Sequence, residues 1–311
     1  MLARTASYLY WIGRYMERAE FTARLVEATV RLDALSARPA GEGAWNSALF
    51  VAGANEGFAA TGDPINPTNV SNYLTLAEDN SSSIRNCLSA ARMNARAVRT
   101  ALTREGWEGI NRAWLGVRDR SATGGAQATV NLVEDLKAEI RGFEGALHRM
   151  LHHESYWFLR LGAAIERADN TARLIDVKYH LILPEGEKVG GIVDRDQWGT
   201  ILQTVSANTA FRWLYRESLS PTRVVEMLTL RRELPRSLAY AVDEVVELLD
   251  DLGKRTNFQG EADRMARLRQ KRLERTRVGD IIRGGLHEFL QAFITENRLL
   301  NQAITRQFRF D

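Results

Sequence analysis

The chain has 311 residues, 45% apolar and 26% charged, a balance that excludes a disordered polymer lacking the apolar surface to offset its ordering entropy. Lys and Arg number 42 against 39 Asp and Glu, and a net charge of +3 is too weak a field to argue for nucleic acid as a partner. Only 6 prolines occur, about 2% against a usual share near 5%, which points to long helices.

The first segment, Arg4 to Leu35, holds Ile12, Met16, Ala19, Ala23, Val26 and Val30 at alternating four- and three-residue spacing, one face of a helix. Ser36 to Glu42 reads as a breaker. A second helix is expected from Ala44 to Ala60, then turn signals at Gly62-Asp63-Pro64 and Asn66-Pro67. A short helix starts near Thr68. Asn80 and Ser81 to Ser83 offer N-caps for a long helix reaching Thr103. A shorter helix is expected over Asn111 to Arg118, and a loop over Ser121 to Gly125.

Helices follow from Gln127 to Leu151 and from Ser155 to Leu183, with a loop from Pro184 to Asp194. Further helices are expected over Gln197 to Tyr215, Pro221 to Leu230, Leu234 to Leu252, Glu261 to Thr276 and Val278 to Arg306. No segment sustains period-two alternation with β-branched residues, so no sheet is expected. No apolar run is long enough for a membrane helix, and Arg14, Glu17, Arg18 and Glu20 interrupt any signal-peptide core. Cys87 is the single cysteine, so no intrachain disulfide forms, and a cytoplasmic protein of bacterial type is expected.

Self-similarity dominates this sequence. Gly13 to Glu27 (GRYMERAEFTARLVE) and Gly162 to Asp176 (GAAIERADNTARLID) share eight of fifteen positions at an offset of 149 residues. Trp45, Leu49, Ala54, Asn55 and Phe58 match Trp198, Leu202, Ala207, Asn208 and Phe211 at an offset of 153. Pro67, Thr68, Val70, Leu74 and Ser83 match Pro221, Thr222, Val224, Leu228 and Ser237 at an offset of 154. The expectation is an all-α helical bundle built from a tandem duplication of a unit of roughly 150 residues, pseudo-twofold in arrangement. It would form a single domain over 1–311, with halves at about 1–125 and 126–311.

On a helical wheel of about 100° per residue, Gly13, Glu17, Glu20, Arg24 and Glu27 share an arc of about 80°. Gly162, Glu166, Asp169, Arg173 and Asp176 share the same arc in the second copy. The glycine admits a close neighbour, either a backbone or a ligand. Aromatic and apolar flanks (Tyr8, Tyr10, Trp11, Tyr15; Tyr156, Trp157, Phe158) place both helices centrally, so their charges need partners. Three readings of the stripes stand. They close on each other as a buried Arg–carboxylate network. They line a cleft for a charged amino acid or peptide. Or Glu17, Glu20, Glu166 and Asp169 hold Mg²⁺ or Mn²⁺ through oxygen alone, since neither copy has the histidine of a di-metal carboxylate bundle.

Other features carry less. His148 and His152 are four apart, a metal-pair spacing, although cationic side chains also suit a helix C-terminus. Asp263 to Arg277 is rich in arginine but diluted by Glu274, which reads as a solvated face rather than an RNA contact. No nucleotide-binding or hydrolase motif is present.

The E-R-A-E of the first helix, the E-R-A-D-N-T-A-R-L of its copy, W-L-Y-R-E-S-L-S-P-T-R-V-V-E from Trp213 to Glu226, and Glu296-Asn297-Arg298 together resemble the bacterial alpha-E family over nearly the whole chain. The resemblance implies a helical fold with a Glu-Arg signature, here Glu17-Arg18 and Glu166-Arg167. It also implies partners: a circularly permuted ATP-grasp ligase and a transglutaminase-like protein, in peptide synthesis or modification. It carries over no catalytic residue and no cofactor. The expected role is an accessory or substrate-binding component that binds a charged amino acid, a peptide or the ligase. The expected binding residues are Glu17, Arg18, Glu20, Arg24, Glu166, Arg167, Asp169 and Arg173. The alternatives are a metal-assisted enzyme of amide-bond metabolism and a scaffold with a buried charge network.

Overall fold

The computed structural model describes residues 1–35, 41–180 and 191–310. Among them are fifteen α-helices, one short 3₁₀ turn and no strand, so the protein is all-α. Residues 36–40 of the expected breaker, 181–183 of the expected helix and 184–190 of the expected loop lie outside the described residues. The chain divides into two compact units, one of residues 1–166 with 308–310, the other Arg167–Gln307. The division falls inside one helix.

In the first unit α1 (Ala3–Leu35) is central. Residues buried on it point in every direction (Leu9, Tyr10, Ile12, Met16, Ala19, Phe21, Leu25), the mark of a helix with no solvent face. Packed on it are α2 (Gly41–Ala52), α4 (Pro67–Thr75), α5 (Ile84–Ala97) and α7 (Ala126–Leu147). Two further helices, α3 (Asn55–Thr61) and α6 (Arg104–Arg118), pack on α2 and on α5 and α7. The Ser83 hydroxyl accepts from the Asn86 N–H and starts α5, a cap worth about 1 kcal/mol.

The long helix α8 (Glu154–His180) runs from the first unit into the second. The second unit continues with α9 (Ile192–Thr204), α10 (Asn208–Tyr215), α11 (Pro221–Leu230) and α12 (Leu238–Thr256). It ends with α13 (Glu261–Arg275), α14 (Val278–Gly284) and α15 (Leu286–Phe308). The Ser237 hydroxyl caps α12 as Ser83 caps α5.

Three expected helices are broken. The Ala44–Ala60 helix stops at Gly53, where φ is +63°, and restarts as α3. Similarly, the Gln197–Tyr215 helix, which in fact begins at Ile192, stops at Ser206, where φ is +55°. The Val278–Arg306 helix turns at Gly285, where φ is +94°. The first two breaks share their bonds: the Ala54 N–H donates to the Leu49 carbonyl at 2.9 Å and the Ala207 N–H to the Leu202 carbonyl at 2.8 Å. Serine pays a steric penalty in the left-handed region that glycine does not. Ser206→Gly is therefore expected to raise stability by about 0.5–1 kcal/mol, read as a shifted urea midpoint, whereas Gly53→Ala should lower it by a similar amount.

Several boundaries also moved: α7 ends at Leu147 rather than Leu151, and α12 runs over Leu238–Thr256 rather than Leu234–Leu252. The helix expected to reach Thr103 ends at Ala97, followed by a 3₁₀ turn over Arg99–Ala101. Next, α6 begins at Arg104 rather than Asn111, capped by the Thr103 hydroxyl. Gly106 and Gly109 weakened the sequence signal there, but Gly109 lies where an added Cβ would be 3.1 Å from the Phe143 Cα. It is a packing glycine between α6 and α7, not a breaker.

Candidate functional site

Within the first unit α1 meets the start of α8 at two glycines. A Cβ on Gly13 would stand 2.0 Å from the Leu159 carbonyl oxygen, and one on Gly162 would stand 1.9 Å from the Tyr10 oxygen. Both contacts obey the same 149-residue offset, so the approach is reciprocal. The neighbour these glycines admit is a backbone. The close crossing brings the side chains one turn further along into direct contact.

Glu166 sits at that crossing, 2% exposed. Arg18 donates from Nε to Oε1 at 2.6 Å and from an Nη to Oε2 at 3.1 Å. Arg14 donates from Nε to Oε2 at 2.7 Å. Arg14 is itself packed against the Trp11 ring, 5.1 Å from its centroid. Both carboxylate oxygens are thus held by guanidiniums, a charge-assisted arrangement among the strongest hydrogen bonds in proteins. Burial pushes the Glu166 carboxyl up, and the Arg14 and Arg18 charges more than reverse it, leaving it below the ordinary carboxylate value. Neighbouring Tyr10 is pushed up to about 12, chiefly by burial. A carboxylate so held is neither a general acid nor a nucleophile near neutrality, and its oxygens are not presented to a metal. No group of three or more His, Cys, Asp or Glu side chains placed to hold a metal occurs among the described residues.

Glu17 and Glu20 are buried on α1, and Arg24 donates to Glu20 at 2.5 Å within the helix. Glu27, further along the same stripe, accepts from Lys137 of α7. In the second unit Asp169 and Arg173 pair locally at 2.7 Å. Arg167 points to α12, its Nη 3.6 Å from Glu244 Oε2. Asp176 accepts from Gln291 Nε2 and lies against His287 Nδ1, both at 2.7 Å and both on α15. Glu166 thus ties α8 to α1 and Glu27 ties α1 to α7 in the first unit, and Asp176 ties α8 to α15 in the second, while Glu20–Arg24 and Asp169–Arg173 pair within their own helices.

Residues outside the expected set complete this picture. Arg14 shares Glu166 with Arg18. Arg269 of α13 is 5% exposed, stacked 3.5 Å from the Phe293 ring centroid, and donates to the Phe293 carbonyl at 2.7 Å and Asn297 at 3.0 Å. Burial pulls its pKa down to about 9. Glu296 accepts from Arg272 at 2.6 Å, so the Glu296-Asn297 pair pins α13 to α15.

The chain belongs to the Alpha-E family. The family model, described as a predicted alpha-helical domain with a conserved ER motif, matches residues 1–308. No curated protein and no solved structure matches the chain. Of the two Glu-Arg pairs in this Alpha-E chain, the structure joins Arg18 of the first directly to Glu166 of the second.

Other candidates fall away on geometry. The metal-pair spacing of His148 and His152 is not realised, because α7 ends at Leu147 with His148 as its C-cap. His152 stacks on Tyr156 at 4.1 Å, and His153 accepts the Ser155 N–H through Nδ1 at the start of α8. The Cys87 thiol is buried and pushed up to about 12 by that burial, which silences it as a nucleophile. Half of the basic residues of the arginine-rich α13 are engaged: Arg267 pairs with Asp250, Arg269 and Arg272 with α15. None of the described helices is long and apolar enough to cross a membrane. A recess of about 210 Å³ near the C-terminal end of α1 is lined by Asp33, Trp45, Thr68, Ser71 and Thr129 among others. None of the expected binding residues lines it.

Proposed function

We propose that this Alpha-E chain is an accessory, partner-binding component of a bacterial peptide synthesis or modification system that works with an ATP-grasp-type ligase. Its Glu-Arg helices would form the frame and leave partner contacts to the surface. The observation that carries this reading is the state of Glu166: buried, bound on both oxygens by Arg14 and Arg18, and held charged. Such a carboxylate fixes helices and has no oxygen left for a substrate. The ligase context comes from the family resemblance.

A duplicated origin is part of the same proposal. It is supported by the reciprocal glycine contacts, the matched left-handed breaks at Gly53 and Ser206, and the matched serine caps of α5 and α12. A duplication that kept its frame while its surfaces diverged suits a binding component.

Purified tagged protein should retain the ATP-grasp ligase and the transglutaminase-like protein of its own genome. The expected result is a stoichiometric complex with the ligase by size-exclusion chromatography. The competing role, direct binding of an amino acid or peptide, is checked by a thermal shift across the amino acids and short peptides. Absence of the complex would overturn the proposal, and a shift without a complex would favour the competing role.

A further inference from the structure

The two copies differ most informatively at one helix end. After the matched Asn55 and Phe58, the first copy continues Ala59-Ala60-Thr61 and ends α3 on Gly62, where φ is +76°. After the matched Asn208 and Phe211, the second copy continues Arg212-Trp213-Leu214-Tyr215 and ends α10 on Arg216, where φ is +50°. The extra residue in α10 accounts for the drift in offset from 153 to 154. Both helices stop in the left-handed region, one with a glycine, the residue that adopts it freely, the other with an arginine, which does not. Backbone geometry therefore favours glycine at position 216, and the arginine suits something other than the turn.

That something is exposed. Trp213 is 76% exposed and Leu214 beside it is 40% exposed, while Arg212 and Arg216 are exposed and form no ion pair among the described residues. The guanidiniums of Arg223 and Arg231 both lie over the ring of neighbouring Tyr215, 5.3 and 5.6 Å from its centroid. Arg223 is held in turn by Glu217 and Glu226, each at 2.9 Å. An exposed tryptophan flanked by arginine is the composition of a binding hot spot.

We propose that Trp213, Leu214, Arg212 and Arg216 form a docking surface for an acidic, amphipathic segment of a partner protein. Trp213 and Leu214 take its apolar side chain, and the two arginines take its carboxylates. A second copy of this chain fits poorly, because a twofold contact would set the same unpaired cations against each other. Nucleic acid fits poorly as well, since two free cations beside Glu217 make a short track for a phosphate backbone. The identity of the ligase plays no part in the inference.

The full-length protein would be titrated by fluorescence anisotropy against three probes. These are a labelled peptide of repeated Glu-Glu-Leu-Leu, its Lys-Lys-Leu-Leu counterpart and an oligouridylate. The acidic peptide should bind and weaken with salt, and Trp213→Ala should weaken it about tenfold or more. Arg216→Gly should weaken it too while raising the melting temperature, so that lost binding cannot be lost folding. Equal binding of the acidic and basic peptides, tighter binding of the oligouridylate, or wild-type affinity in both variants would overturn the proposal. So would a dimer in sedimentation that Trp213→Ala dissolves.

Discussion

Gly162→Ala is expected to destabilise the protein by about 3 kcal/mol or more, the reverse of what alanine does in an ordinary helix. In mid-helix, alanine is favoured over glycine by about 1 kcal/mol. At Gly162 the new Cβ would meet the Tyr10 carbonyl oxygen at 1.9 Å, and at Gly13 the Leu159 oxygen at 2.0 Å. Backbone cannot swing aside as a side chain can, so α1 and α8 must separate. Separation loosens the packing of α1 and lengthens the hydrogen bonds from Arg14 and Arg18 to Glu166. Gly142→Ala and Gly145→Ala on α7 are the controls, because nothing lies within 4 Å of an added Cβ at either position. They should stabilise by up to about 1 kcal/mol each. The double variant Gly13→Ala/Gly162→Ala should cost less than the sum of its parts, since one separation relieves both clashes. Urea denaturation reads all of these, and a neutral or stabilising Gly162→Ala would remove the close crossing from the account.

That crossing also shows what the sequence could and could not disclose. The glycines, acids and arginines of the two helices were legible as matched arcs, because a helix fixes which of its own residues share a face. Their partners were not legible, because a wheel says nothing about the neighbouring helix. Arg14 illustrates this. The position 149 residues on is Ala163, so the pattern the two segments share does not include the residue that completes the Glu166 clamp. Asp176 likewise finds His287 and Gln291 more than a hundred residues away.

Helix existence was legible almost throughout, from apolar period and caps such as Ser83, Pro221 and Ser237. The breaks at Gly53 and Ser206 were not. A single left-handed residue leaves the apolar pattern running through it, and Ser206 carries no sequence mark of a positive φ. The early start of α6 has the opposite cause: Gly106 and Gly109 lower helix propensity there, while Gly109 serves packing against Phe143.

Glu166→Gln is expected to cost about 3–5 kcal/mol at neutral pH, the range for removing one partner from a buried ion cluster. Glutamine keeps the shape but removes the charge, leaving Arg14 and Arg18 facing an amide whose nitrogen cannot accept from them. The sign of the pH dependence follows from the depressed carboxyl. A group ionised more readily in the folded state stabilises it above the unfolded value, 4.5, and loses that contribution as pH falls through the lower folded value. Wild type should therefore lose stability steeply below pH about 4.5, and Glu166→Gln should lack that part of the acid limb. Replacing the whole cluster is the sharper test. Arg14→Met/Arg18→Met/Glu166→Met removes all three charges together, and its stability should return toward wild type, less the bond that the buried Tyr10 hydroxyl shares with Arg14. Arg18, a quarter exposed, limits the gain. If that triple variant folds and still binds the ligase, the Glu-Arg motif is a frame. If it folds as stably as wild type and the complex is lost, the motif contacts the partner itself, and the binding role belongs to the Glu-Arg helices after all.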